Sequence, residues 1–306
     1  MAPKIEKIAE IPNLELGEGP HWDAETQSLY LVDIFGKALH KYIPSTGHHS
    51  KLVFDKPISV VVPVKGKRDQ FVVTVERTVQ LITWDGKSEK PSKIEKLAEV
   101  DEGTENRLND GKCDPSGKLW MGTMGPEPEN GHVQLASGSL FSLHKGQVKT
   151  HVTKVGISNG LAWNTKLNKF YYIDSFAYSV DAFDYDRLNG TISNRTPIFT
   201  LPKHNIEGFP DGMTIDTDGN LWVAVFNSYK VIKIDPRKPE TLLQTVEIPA
   251  KQVTSVAWGG IDLDVLFVTS ASFTVDGEKL LPPHHGATFK VTGLGARGLP
   301  GDNFVL

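Results

Sequence analysis

Four short segments set an oxygen-bearing side chain beside a glycine: Gly17-Glu18-Gly19-Pro20, Leu108-Asn109-Asp110-Gly111, Ser158-Asn159-Gly160 and Pro210-Asp211-Gly212. Taken singly, Asn-Gly and Asp-Gly only make turns. Glu18, Asn159 and Asp211 also share a chemistry, because they offer oxygen alone. Oxygen donors suit Ca²⁺, Mg²⁺ or Mn²⁺, with water completing the shell. Zinc usually selects His and Cys, although carboxylate oxygens can hold it. The ten histidines have no H-x-x-x-H spacing, and His48-His49 and His284-His285 read as exposed loop pairs. The oxygen-bearing segments can act together only if the fold gathers them.

The elements that would gather them are short β-branched and aromatic runs. Six runs share one pattern, anchored on Tyr30, Phe71, Trp120, Tyr171, Trp222 and Phe267, at spacings of 41, 49, 51, 51 and 45 residues. A second alternating run follows, as in Ala38-Leu39-His40-Lys41-Tyr42 and Lys230-Val231-Ile232-Lys233-Ile234. A period of about 40–50 residues built from short strands marks a β-propeller blade. Six units over 306 residues predict an all-β, six-bladed β-propeller forming a single domain, 1–306. The alternating stretch Lys4–Glu10 precedes the first unit and is expected to close the last blade, removing an open edge.

The innermost strand of a propeller blade starts near the central channel. Counting back 12 residues from each anchor gives Glu18, Ser59, Leu108, Asn159, Pro210 and Ser255; one residue of slippage turns the third into Asn109 and the fifth into Asp211. Burying two carboxylates and two amides without partners costs several kcal/mol. A bound cation or a polar ligand at the axis would satisfy them.

Around these positions, Gly17-Glu18-Gly19-Pro20-His21-Trp22, Asn106-Arg107-Leu108-Asn109-Asp110-Gly111-Lys112, Gly122-Thr123-Met124, Ile157-Ser158-Asn159-Gly160-Leu161-Ala162-Trp163 and Pro210-Asp211-Gly212-Met213 occur in order. They resemble the regucalcin (senescence marker protein)/gluconolactonase/luciferin-regenerating enzyme family. Val253-Thr254-Ser255-Val256-Ala257-Trp258-Gly259-Gly260 and Lys290-Val291-Thr292-Gly293-Leu294 resemble its insect branch, which includes insect regucalcins and the firefly luciferin-regenerating enzyme. The resemblance implies one divalent metal at the axis (Ca, Mg, Mn or Zn, with Ca favoured by the all-oxygen set), held by Glu18, Asn159 and Asp211. It further implies that Arg107, Asn109 and Glu127 contact a hydroxylated substrate. The loop Gly125-Pro126-Glu127-Pro128-Glu129-Asn130 departs from the family pattern, which makes Glu129 the alternative to Glu127.

The expected activity is a metal-dependent hydrolase that opens sugar-like lactones by metal-activated water, with Asp211 as the catalytic proton acceptor. Two alternatives accompany it: a luciferin-regenerating enzyme acting on oxyluciferin, and a non-enzymatic calcium-binding regulator. Five of the six tryptophans, Trp22, Trp120, Trp163, Trp222 and Trp258, are read as core packing, with a substrate wall as the alternative. A formal net charge of −4 supplies no reason to bind nucleic acid or an anionic membrane. One cysteine, Cys113, and an N-terminus without an apolar stretch lead us to expect a cytoplasmic location. A closed ring has no edge that demands a partner, so a monomer acting on a small molecule is expected. Gly293-Leu294-Gly295-Ala296-Arg297-Gly298 matches G-x-G-x-x-G, but with no helix predicted after it a nucleotide site is not expected.

Overall fold

A computed structural model describes residues 2–127, 133–274, 277 and 279–306. The sheet forms six blades. A first strand, β1 (Lys4–Lys7), precedes blade one, which holds β2 (Gly17–Asp23), β3 (Ser28–Asp33), β4 (Ala38–Ile43) and β5 (His48–Val53). Blade two holds β6 (Ile58–Val64), β7 (Lys67–Val75), β8 (Thr78–Thr83) and β9 (Lys93–Glu99). Blade three holds β10 (Arg107–Cys113), β11 (Leu119–Met124), β12 (Gly138–His144) and β13 (Gln147–Val155). Blade four holds β14 (Ser158–Asn164), β15 (Lys169–Asp174), β16 (Ser179–Asp186) and β17 (Thr191–Thr200). Blade five holds β18 (Phe209–Ile215), β19 (Leu221–Phe226), β20 (Lys230–Ile234) and β21 (Leu242–Glu247). Blade six holds β22 (Gln252–Gly259), β23 (Val265–Ala271) and β24 (Phe289–Thr292).

Among the described residues, blade six has three strands of its own. β1 supplies the fourth, pairing antiparallel with β24 from Lys4↔Thr292 to Lys7↔Phe289. The innermost strands then touch in a closed circuit, β2 meeting both β6 and β22.

The repeat exists because each blade buries its faces against two neighbours. Tyr30 and Phe71 pack between blades one and two, and Trp120 between three and four. Tyr171 packs between four and five, Trp222 between five and six, and Phe267 between six and one. All six are at least 97% buried. At about 25 cal/mol per Å² of apolar surface, these interfaces dominate the stability. Two anchors are also hydrogen-bonded from below. The indole of Trp120 donates to Asp114 (2.9 Å) and that of Trp222 to Asp216 (3.0 Å), each aspartate also bracing the turn that leads into its strand.

Trp22, Trp163 and Trp258 also lie in the inter-blade core. Cys113 is a buried free thiol. His48 and His49 differ from expectation: they lie in β5, not a loop, and His49 stacks on His40 with Nδ1 of His40 2.9 Å from its Nε2. Alternation carries the strand through both histidines.

Candidate metal centre and substrate pocket

All six innermost strand pairs contain a register shift near the axis, at Glu18/His21, Ile58/Val60, Leu108/Gly111, Asn159/Leu161, Pro210/Met213 and Val253/Ser255. A β-bulge bends its strand and re-aims a side chain. Here the bulges place Glu18, Asn109, Asn159 and Asp211 around one cavity. The glycine after each of the last two permits the tight approach. A Cβ on Gly160 would sit 2.7 Å from the Asp211 carbonyl oxygen, and one on Gly212 2.0 Å from Ser255 Oγ.

The cavity is about 280 Å³ and contains Glu18, Arg107, Asn109, Glu127, Asn159 and Asp211 together. Glu129 lies outside the described residues. Ser59 and Ser255, the serines of the expected ring, do not line it: Ser59 shares a hydrogen bond with Thr74 (2.8 Å), and Ser255 packs against Gly212.

At its floor, Glu18, Asn159 and Asp211 are 6%, 4% and 8% exposed. Burial, and then the neighbouring Asp110, pushes the Glu18 carboxyl up to about 8. Burial, and then Glu18 and Asp110, holds Asp211 well above the usual carboxylate range. Asp110 is buried as well, held up mainly by its own burial while its Oδ1 accepts from Gly111 N (2.6 Å). Lys112 does not neutralise the group by contact, since its ammonium donates to the carbonyls of Leu161 (3.1 Å) and Met213 (2.7 Å). Among the described residues, Arg107 and Lys112 offset these like charges only from a distance, and a divalent ion at the axis would relieve the repulsion. The donor set fits a hard cation: two carboxylates and an amide whose Oδ1 has an unspent lone pair. Among the described residues, no three His, Cys, Asp or Glu side chains converge to hold an ion by themselves, so the Asn159 oxygen is needed.

Above the floor, Arg107 is clamped. Its Nε and Nη2 donate to Glu127 Oε2 (3.1 and 2.9 Å), its Nη1 to Asn109 Oδ1 (2.8 Å), and its guanidinium lies 5.6 Å over the Phe35 ring. Phe176, Phe209, Phe226 and Phe273 complete an aromatic wall with Met124 and Ile157.

Over residues 16–272 the sequence matches the SMP-30/Gluconolactonase/LRE-like region. The chain belongs to the SMP-30/gluconolactonase/LRE-like family. Within it, the chain is 40% identical to regucalcin of Gallus gallus over 288 residues, covering 93% of each chain. It is 40% identical to regucalcin of Danio rerio over 298 residues, covering 97% of each. A luciferin-regenerating enzyme structure superposes with a TM-score of 0.95 at 47% identity, covering 100% of both chains. A regucalcin of Agrobacterium tumefaciens, described as a calcium-binding protein, shares the fold with a TM-score of 0.84 at 24% identity, covering 98% of this chain and 97% of that one.

Against that family background, the residues the sequence reading missed are the phenylalanines, Ser175 and Asp110. A signal for the wall existed. Phe35, Phe176, Phe226 and Phe273 lie four to six residues beyond the anchors Tyr30, Tyr171, Trp222 and Phe267, at or just past the end of the same strand in four blades. The tryptophans pack between the blades, as expected, and the wall of this cavity is built of phenylalanine.

Proposed function

We propose that the chain is a divalent-cation-dependent hydrolase that opens lactone rings in the axial cavity, with Glu18, Asn159 and Asp211 holding the cation. The observation that carries this reading is the pair of buried, cation-less carboxylates facing the same cavity as the clamped Arg107–Asn109 arm. A bound divalent ion supplies Lewis acidity at the ring carbonyl and charge compensation at the axis.

The chain's own residues do the rest. Asp211 takes the proton from the attacking water. Arg107 and Asn109 orient ring hydroxyls, and the pairing of Arg107 with Glu127 holds the guanidinium in place for that contact. The walls exclude water from the far side of the ring.

A second reading has an observation of its own. Four phenylalanines on one wall, together with the full-length likeness to a luciferin-regenerating enzyme, favour a flat heteroaromatic substrate such as oxyluciferin. The deciding experiment strips metal from the protein and adds back Ca²⁺, Mg²⁺, Mn²⁺ or Zn²⁺. A panel of aldonolactones and aromatic lactones is then followed by pH-indicator absorbance. Turnover restored by metal and abolished in Asp211→Ala supports the lactonase. Arg107→Ala is expected to act mainly through KM, raising it about 10-fold or more for hydroxylated lactones. Cation binding without turnover of any lactone moves the assignment to the oxyluciferin-type reaction or to a calcium-binding regulator, and unchanged turnover in Asp211→Ala removes Asp211 from the chemistry.

A further inference from the structure

An asparagine side chain can present either its oxygen or its NH₂ to a ligand, and only the oxygen holds a cation. The structure fixes this choice at Asn159 through a hydrogen-bonded chain whose two ends are chemically one-way. At one end Arg107, which can only donate, gives Nη1–H to Asn109 Oδ1 (2.8 Å). Asn109 must then present its NH₂ onward, and it donates to the Ser158 carbonyl (3.0 Å) and to Asn159 Oδ1 (3.1 Å). At the other end the Pro210 carbonyl can only accept, so the Ser175 hydroxyl donates to it (2.7 Å). That leaves the Ser175 oxygen to accept from Asn159 Nδ2 (2.8 Å). A flipped Asn159 would set NH₂ against NH₂ at Asn109 and oxygen against the Ser175 lone pairs.

We propose that Ser175 is a positioning residue for the candidate metal centre: it takes up the NH₂ of Asn159 and so commits the amide oxygen to the cation. This rests on the metal-centre reading above. Ser175 is itself well held. It is 97% buried and opens a single 3-10 turn, Ser175–Ala177, capped by Asp174. Its backbone N–H donates to Ile157 O (3.1 Å), tying the turn to the loop that enters β14, the strand of Asn159. The hydroxyl also joins two blades, since its acceptor Pro210 immediately precedes Asp211 in β18. One side chain therefore sets the orientation of the blade-four ligand against the blade-five ligand.

The test is calorimetric titration of the full, chelator-stripped chain with Mn²⁺ and with Ca²⁺, alongside the spectrum of bound Mn²⁺ by electron paramagnetic resonance. Ser175→Ala is expected to weaken binding about 10–100-fold, the usual effect of losing a partner that orients a ligand, while the metal-free protein still unfolds cooperatively. Ser175→Thr, which keeps the hydroxyl, is expected to restore affinity and the wild-type Mn²⁺ spectrum. Should the alanine variant fail to fold, Ser175→Cys keeps the volume but is a poor acceptor, and is expected to bind weakly in the same sense. Wild-type affinity in Ser175→Ala, or in Ser175→Cys where that variant stands in, overturns the proposal. Equal weakening in Ser175→Ala and Ser175→Thr also overturns it, since packing would then explain the loss. Absence of cation binding by the wild-type chain is a separate result that overturns the metal-centre reading and this proposal with it.

Discussion

At the scale of single residues, the axial carboxylates make the protein's stability depend on pH in a way that bound metal should remove. In the metal-free fold Glu18 keeps its proton up to about 8, whereas in an unfolded chain it gives the proton up near its ordinary 4.5. Asp211 is raised as well. A raised folded-state pKa contributes stability that is complete below the unfolded value and is lost as pH rises through the folded one. His21 acts in the opposite sense, burial having lowered it from 6.5 to about 4, so its contribution disappears as pH falls through that lower window. Between pH 6.5 and 8.5 the carboxylates therefore dominate. The unfolding midpoint of chelated protein is expected to fall with pH there, by up to about 1.4 kcal/mol per pH unit for each proton retained. Saturating Ca²⁺ or Mn²⁺ should flatten the curve, and cation binding should release protons, which titration in buffers of different ionisation enthalpy counts. A midpoint independent of pH in the chelated protein would contradict the arrangement.

At the scale of elements, the bulged inner strands crowd their neighbours so closely that a methyl group is too much. In Gly160→Ala the new Cβ would meet Asp211 O and Ile173 Cδ1 at 2.7 Å and Met213 Cγ at 2.9 Å. Such overpacking costs about 1–3 kcal/mol, read from denaturant midpoints, and should weaken cation binding because β14 and β18 carry two of the three proposed ligands. The blade pattern was legible in the sequence because an anchor and its flanking alternation are local: Trp120 and Trp222 each follow an aspartate and a tight turn by fixed steps. The axial residues were legible because they keep a constant distance from those anchors, apart from the one-residue slip at Leu108 and Pro210 that the bulges explain. The phenylalanine wall was harder to read. Its members come from strand ends and loops of four blades, and only closure of the ring makes Phe35 and Phe273 neighbours, 5.6 Å apart. Ser175 was equally hidden, since its meaning lies in a hydrogen bond across 35 residues to Pro210.

At the scale of the whole molecule, the two chain ends do different work. β1 completes blade six, and deleting residues 2–7 would leave β24 as an open edge. We expect a lower unfolding midpoint, by about 2 °C or more for each kcal/mol lost at this size, and concentration-dependent association in sedimentation velocity. The C-terminal segment crosses the face opposite the candidate site. Thr217 N bonds Arg297 O, Gly298 N bonds Leu263 O, Phe304 N bonds Pro63 O and Val305 N bonds Gly117 O, so one strap ties blades five, six, two and three. The literal G-x-G-x-x-G run is part of this strap, Gly298 packing against Trp258.

On the hydrolase reading, the strap's end of the ring also bears on traffic. Leu299, Pro300, Gly301 and Asp302, with the half-buried Lys112, line a second cavity at the far ends of the inner strands, and it shares no lining residue with the axial cavity, which is therefore a well rather than a channel. Nothing can drain through such a well. A molecule formed at its floor must depart by the route its precursor took, and until it does the next precursor is shut out. Product inhibition should accordingly be competitive with substrate.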